Sequence, residues 1–242
     1  MRLGRAAFFL FMCAVAQPGV CGSFEVNPIR VDLAPQERSA ALTVKNNGAE
    51  SVVVQVSVLA WSQQDGRDVL SPTNEVLVSP PIATIAPDKE QIIRVGLRRA
   101  PDKERELSYR LFLQEVPAPP KPGFQGLQVA LRVGLPVFVQ PRSGPAKATL
   151  LWDAQLRDAN TVSLKLMNKG TAHIQISDVE MFLPSETEPI ASHSSLVYVL
   201  PGQSREWELR LKHARVAKTD RLRLKVSTDA GSVDTDIGLS GP

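Results

Sequence analysis

An unusually long alternation of apolar residues, LQVALRVGLPVFVQP, extends from Leu127 to Pro141. Alternation with a period of two predicts a strand with one apolar face. The run is about three times as long as a typical strand of roughly five residues. Pro136 within it cannot donate a ladder hydrogen bond, which indicates a sheet edge or a bulge. Because a long apolar edge strand promotes aggregation, a soluble protein that keeps one needs a use for it.

Shorter alternating segments fill most of the remaining chain, and helical periodicity is nearly absent. Gly, Pro, Asn and Asp separate these segments, a pattern that favours an all-β sandwich. The two halves of the chain also repeat each other. LTVKNNGAESVVVQV (42–56) and LKLMNKGTAHIQI (164–176) both predict a strand, an Asn-x-Gly turn and a second strand. A repeat with this long spacing predicts two similar sandwiches rather than a solenoid.

The boundary between the two predicted sandwiches lies in the stretch 140–147, where proline, glycine and serine are concentrated. It gives an N-terminal immunoglobulin-like domain at 23–142 and a C-terminal one at 143–242. Both lengths are typical of immunoglobulin-like modules.

The first 22 residues predict a cleaved secretory signal peptide (1–22), with two early arginines, an apolar run and then small residues. The apolar run is too short to span a membrane. Cys13 and Cys21 both lie within the predicted signal peptide, so the mature protein would contain no cysteine. No second apolar run of membrane length follows, and we therefore expect an exported protein without membrane insertion.

The chain lacks the motifs of known catalytic centres. His173, His193 and His213 have no metal-ligand spacing, which favours surface or half-buried histidines. There is no nucleophile elbow, P-loop or dinucleotide-binding glycine motif. The net charge of +3, without an aromatic and basic platform, does not predict nucleic-acid binding. We therefore expect a binding protein, not an enzyme, with no catalytic residues, metal or cofactor. A secreted carbohydrate-binding or adhesin module remains an alternative.

Several segments, taken in order, resemble the PapD-like periplasmic chaperones of the chaperone–usher pathway for pili and fimbriae. They are SFEVNPIRVDL, VKNNG, VSPPIATIAPDKEQIIRV, YRLFLQEVP and LQVALRVGLPVFVQP, and they extend over essentially all of the mature chain. The resemblance implies two immunoglobulin-like domains at an angle around a cleft. It implies a periplasmic protein whose partners are pilin-like subunits and an outer-membrane usher.

In that family the last strand of the first domain is lent to a subunit that lacks its own final strand. The resemblance assigns this role to Leu127, Val129 and Leu131, with Val133 as a fourth residue. The alternative is that these side chains face the protein's own core, as we expect for Leu135 to Val139. The sequence leaves open whether the free protein caps this strand by forming a homodimer.

The family also holds the C-terminal carboxylate of the subunit with two basic residues. Arg30 matches the first, but the usual lysine of the second is replaced by Pro136, a departure that resembles the archaic branch of the family. Arg110 is our candidate for the second cation, and Arg132 is less favoured. The resemblance further assigns an interdomain ion network to Arg94, Glu106 and Asp229.

Overall fold

The computed structural model describes residues 24–120, 123, 126–184, 186–212, 216 and 221–240. The predicted signal peptide (1–22) and His213 lie outside these residues. Within them there is no α-helix, and hence none that could cross a membrane. The predicted all-β class is therefore confirmed.

The first ten strands occupy the N-terminal half of the chain. They are β1 (Phe24–Asn27), β2 (Val31–Leu33), β3 (Ser39–Asn46), β4 (Val52–Gln64), β5 (Arg67–Pro72), β6 (Val76–Ser79), β7 (Ile82–Ile85), β8 (Glu90–Leu97), β9 (Leu107–Val116) and β10 (Arg132–Val139). One sheet has the order β1-β3-β8-β6, and the other has the order β2-β10-β9-β4-β5, with β7 also paired to β4. The inward side chains of both sheets form a single core.

Seven further strands form one sheet around a second core. They are β11 (Leu150–Asp158), β12 (Thr161–Asn168), β13 (Ile174–Phe182), β14 (Ala191–Val199), β15 (Ser204–Arg210), β16 (Arg221–Thr228) and β17 (Gly231–Ser240). Their order is β14-β13-β16-β17-β11-β12-β15. The predicted boundary at 142/143 falls between β10 and β11, and the exact domain limits stay a prediction.

The internal repeat of the sequence has a counterpart in two buried asparagines. Asn46 donates to the carbonyl of Ile85 at 2.9 Å, and Asn168 donates to the carbonyl of Val199 at 3.0 Å. The side-chain oxygen of each also accepts from the backbone N–H two residues later. Each asparagine therefore ties its Asn-x-Gly turn to the proline turn further along the chain. In the second copy Gly170 is required, because an added Cβ would lie 2.2 Å from a backbone oxygen.

A small aromatic cluster joins the two halves. Trp61, Phe138 and Leu200 are buried together, and Tyr198 packs against them. Gln63 reinforces the contact, since its side-chain amide donates to the Tyr198 carbonyl at 2.8 Å and accepts from the Leu200 N–H at 2.9 Å. The interface is thus both packed and hydrogen-bonded, and it lies beside the predicted binding residues.

Candidate functional site

The segment before β10 presents apolar side chains to solvent. Leu127 is 86% exposed, Val129 is 59% exposed and Leu131 is 37% exposed. Residues 127–131 belong to no strand, although the backbone oxygen of Leu131 accepts from the Glu115 N–H at 2.8 Å. Val133 differs, because it is partly buried against the first core. The first three side chains therefore do not face the protein's own core. We call residues 127–133 the donor segment.

The sheet edge that continues the donor segment is open. Strand β10 pairs with β9 along its whole length, but it pairs with β2 only from Val137 to Val139. Among the described residues no strand covers the other side of β10 from Arg132 to Pro136. An uncovered edge offers a row of backbone donors and acceptors to an added strand.

The second part of the alternation is buried, as predicted. Leu135, Val137 and Val139 lie in the first core, with exposures of 4%, 0% and 0%. Phe138 points to the opposite face and is also fully buried, because it belongs to the aromatic cluster between the two halves. This stretch is therefore covered on both faces.

Arg30 lies directly before β2 and contacts two carboxylates. Its Nε is 2.9 Å from Asp32 Oδ2, and its Nη1 is 3.0 Å from Asp229 Oδ2. Burial alone would lower the pKa of the Arg30 guanidinium, but Asp32 and Asp229 together hold that pKa above its ordinary value. The guanidinium therefore already has carboxylate partners from both halves of the chain.

Arg110 lies on β9 directly opposite Pro136 of β10. Since opposite residues of an antiparallel pair share a face, Arg110 stands beside the position where the family usually has lysine. Its guanidinium carbon is 3.8 Å from the centre of the Trp61 ring, and its Nη2 is 3.8 Å from Asp68 Oδ2. Burial lowers the pKa of Arg110, yet an arginine keeps its charge at any physiological pH.

Tyr198 lies within electrostatic range of both arginines. Burial raises the pKa of its hydroxyl, while the charges of Arg110 and Arg30 act in the opposite direction. The Arg110 guanidinium lies 5.3 Å from the centre of the Tyr198 ring. Both arginines therefore act electrostatically on one aromatic side chain, and Arg110 also lies close to its ring.

Two of the three residues predicted for an interdomain ion network, Glu106 and Asp229, contact His173. Glu106 Oε1 is 2.6 Å from His173 Nδ1, and Asp229 Oδ2 is 3.5 Å from His173 Nε2. Arg94 forms no ion pair with either carboxylate in the described part of the chain. Arg94 lies on β8, in the sheet β1-β3-β8-β6 and not in the sheet that contains β9 and β10. Its side chain is exposed to solvent there.

Sequence reasoning missed two members of this region. We expected His173 to be a surface or half-buried residue, and the sequence did not indicate that its side chain, 9% exposed, would bridge Glu106 and Asp229. Its ring stacks on Phe138 with the centroids 3.5 Å apart. A signal for Phe138 was present, because it is a large aromatic residue on the otherwise small or polar face of the alternation. Nothing in the sequence distinguished His173 from His193.

Comparison with known proteins identifies the family. Residues 23–145, just over half of the chain, match the family of pili and flagellar-assembly chaperones defined by the PapD N-terminal domain. The chain belongs to this family of pilus-assembly chaperones. A curated relative, the chaperone protein FimB/FhaD of Bordetella pertussis, is 30% identical over 152 residues, which cover 58% of this chain. The match spans only 60% of that relative's length.

Solved structures share the fold over most of the chain. One is the CsuC–CsuE chaperone–tip subunit pre-assembly complex from the archaic Csu pili of Acinetobacter baumannii. The TM-score is 0.67 at 19% identity, with 90% of this chain and 99% of the matched chain covered. Another is the Salmonella enterica SafA pilin in complex with the SafB chaperone. Its TM-score is 0.60 at 20% identity, covering 89% of this chain and 94% of the matched chain. These likenesses agree with the predicted pair of immunoglobulin-like domains.

Proposed function

We propose that this protein keeps pilin-like subunits folded in the periplasm by lending them its donor segment, and that it delivers them to an outer-membrane usher. The observation that carries the proposal is the row of exposed side chains, Leu127, Val129 and Leu131, which leads into the open edge of β10. The subunit would pair with this edge and bury the three side chains in its own groove. Export would depend on the predicted signal peptide at 1–22.

The energetics favour strand donation without chemistry. Burial of an aliphatic side chain contributes roughly 1.5–3 kcal/mol, so three such side chains give a substantial gain before ordering costs. Val133 is partly buried against the first core, and its contribution would be smaller. Backbone hydrogen bonds along the edge would add affinity for any strand, while the alternating side chains would select the groove that fits them.

Arg30 and Arg110 would bind the C-terminal carboxylate of the subunit. A guanidinium matches a carboxylate because its planar fork can bond both oxygens. Arg110 lies opposite Pro136, and its charge acts on Tyr198 as that of Arg30 does, which supports Arg110 as the replacement for the missing lysine. The present partners of Arg30 are partly exposed, and such pairs contribute only about 0.2–1 kcal/mol. An incoming carboxylate could therefore compete for the same guanidinium.

The proposal also includes the arrangement of the two domains, 23–142 and 143–242. Glu106 and Asp229 would fix their relative orientation through His173, with Gln63 and the aromatic cluster as further support. The cleft between the domains would then keep Arg30 and Arg110 at a constant distance from the donor segment. Two free chaperones would cap each other through the same segment as a homodimer, which sedimentation of the mature chain without a subunit would detect.

The test is co-expression with a candidate pilin-like subunit. We expect the double change Val129→Glu with Leu131→Glu to abolish recovery of the complex, and Arg30→Ala to do the same. A matched control is Leu77→Glu with Leu151→Glu, which adds the same charge at exposed apolar positions of β6 and β11. That control should leave recovery unchanged. Undiminished binding by both test variants would refute the mechanism.

A further inference from the structure

One carboxylate oxygen faces two basic groups at the junction of the two halves. Asp229 Oδ2 lies 3.0 Å from Arg30 Nη1 and 3.5 Å from His173 Nε2. The other oxygen, Oδ1, accepts from the backbone N–H of Gln175 at 2.9 Å. A separation of 3.5 Å is too long for an ordinary N–H···O hydrogen bond, and His173 Nε2 is buried without a hydrogen-bond partner. Of the two basic groups, Arg30 therefore makes the stronger contact with Asp229 Oδ2.

His173 cannot easily turn towards another partner. Its Nδ1 lies 2.6 Å from Glu106 Oε1, and its ring stacks on Phe138 at an angle of 7°. The backbone N–H of His173 also donates to Glu106 Oε1 at 3.2 Å. Because Nδ1 faces a carboxylate, it carries the hydrogen of the neutral ring. An added proton therefore goes to Nε2, which faces Asp229.

Charged groups from several elements act on this ring. Glu106 precedes β9, and Asp229 lies in the turn between β16 and β17. Burial of the ring would lower the pKa of His173, but Asp229 and Glu106 outweigh it and hold that pKa above its ordinary value. In the described part of the chain, the other charged or titratable groups around Asp229 and the aromatic cluster include Arg30 and Asp32 before and on β2, Asp68 on β5, Arg110 on β9 and Tyr198 on β14.

We propose that His173 and Asp229 are positioning residues for the Arg30 anchor, and that they couple the filling of this anchor to the uptake of a proton. When a C-terminal carboxylate binds Arg30, Asp229 Oδ2 moves from Nη1 of Arg30 to Nε2 of His173. A proton from solvent then occupies Nε2 and is donated to Asp229. This inference rests on the proposed function, because it assumes that the anchor binds a carboxylate.

The direction of the effect follows from linkage. If carboxylate binding raises the pKa of His173, protonation of His173 must tighten carboxylate binding by the same factor. Affinity for a carboxylate ligand should therefore increase as the pH falls through the pKa of His173. A ligand of the same sequence without the carboxylate should show no such increase. In that case the ion pair between Arg30 and Asp229 stays intact.

The first experiment needs no ligand. The pKa of His173 is measured by NMR titration in the full mature chain, with the signal assigned by its loss in His173→Gln. We expect Arg30→Gln to raise this pKa, since Asp229 is then free to face Nε2. Arg30→Lys keeps the positive charge and should leave the pKa near the wild-type value. Arg132→Gln, on the open part of β10, is a control for the loss of an arginine. An unchanged pKa in Arg30→Gln overturns the proposal.

The second experiment uses a synthetic peptide of eight alternating valine and threonine residues after two lysines, with a free C-terminal carboxylate or with a C-terminal amide. Calorimetry in two buffers of different ionisation enthalpy counts the protons taken up on binding. We expect uptake with the free acid, none with the amide, and none with either peptide in His173→Gln. Affinity of the free acid should rise at least about fivefold from pH 8 to pH 6, within the usual range of coupling between sites.

Different outcomes would contradict the carboxylate site and the proton coupling. Equal binding of the acid and the amide at every pH, or no binding of either, counts against the carboxylate site of the proposed function. Binding that prefers the acid but takes up no proton overturns the coupling and leaves that site intact.

Discussion

The two parts of one continuous alternation have opposite environments. In the donor segment, Leu127 and Val129 are largely exposed, whereas Val137 and Val139 a few residues later are completely buried. Both parts show the same period of two in the sequence. The difference lies in what covers them, because β2 pairs with β10 only from Val137 onwards and the aromatic cluster covers the second face there. Alternation thus predicts that a strand has an apolar face. It does not predict whether that face is buried in the protein's own core or left for a partner.

This contrast assigns two different roles to neighbouring parts of one alternating segment. The buried part contributes to the stability of the chaperone, and the exposed part is available to a partner. The division is expected to appear in measurements, because substitutions in one part should change unfolding and those in the other should change binding.

The largest effect should follow a truncation in the buried part. Phe138→Ala removes a fully buried ring that packs on Trp61 and His173. We expect a loss of about 3–5 kcal/mol in the free energy of unfolding, the usual range for a buried phenylalanine. The measurement is urea denaturation of the mature chain, followed by tryptophan fluorescence and by circular dichroism. Coincidence of the two probes would support a single cooperative transition.

Leu127→Ala is the matched truncation in the exposed part. Since Leu127 is 86% exposed, the free energy of unfolding should change by no more than about 0.5 kcal/mol. Similar losses in the two variants would show that the donor segment packs on the protein itself, and would remove the contrast between the two parts.

An intermediate effect, on binding rather than stability, is expected at Arg110, which lies opposite Pro136 where the alternation passes from exposed to buried. Arg110→Ala should weaken subunit binding by about 1.5–3 kcal/mol, the range for hydrogen bonds to charged groups. A subunit shortened by several C-terminal residues should lose a similar amount with the wild-type chaperone. The two losses should not add, because both remove the same interaction. Binding is measured by displacement of a labelled subunit.

Arg132→Ala is the control for Arg110. Arg132 is exposed and stacks on Phe112 with its guanidinium carbon 4.1 Å from the ring centre. Its removal should have a smaller effect on binding, and the loss should add to that of the shortened subunit. If Arg132 rather than Arg110 failed to add, the second anchor would be on β10 itself.

Much of the fold could be predicted from the sequence because its signals are local. Alternation predicted the strands, and the two Asn-x-Gly turns predicted the repeat whose asparagines, Asn46 and Asn168, make equivalent hydrogen bonds. Contacts between the halves could not be predicted in the same way. They depend on where side chains distant in the chain meet, so His173 was not recognised and Arg94 was assigned to a network that it does not contact.

The contacts of the site residues also could not be predicted from local sequence patterns. A motif pointed to Arg30, but its contact with Asp229 joins residues 199 positions apart, and no local pattern encodes such a pair. Arg110 was a candidate only because the family's lysine is absent at Pro136. The register of β9 and β10 explains why it is a reasonable one, since it places the two residues directly opposite each other.

The smallest expected effect is a pH dependence of the free energy of unfolding. It arises from His173, whose ring stacks on Phe138 of the buried part. The pKa of His173 is raised in the folded protein above its ordinary value of 6.5, because Asp229 and Glu106 outweigh the burial of the ring. Its stabilising contribution should therefore be fully present below pH 6.5 and disappear as the pH rises through the folded-state pKa. The pKa of Asp229 is lowered, so its contribution disappears only as the pH falls through that lowered value, outside this window.

The measurement is the free energy of unfolding of the wild type minus that of His173→Gln, from pH 5.5 to pH 9. We expect this difference to be largest at the acidic end and to decrease steadily towards pH 9. The same subtraction with Leu127→Ala should be flat, because that side chain is 86% exposed and carries no titrating group. A difference for His173→Gln that is constant or grows with pH would mean that the ring is neutral in the folded protein. The neutral ring would then stack on Phe138 and donate one hydrogen bond to Glu106, and the stability of this junction would not depend on the charge of His173.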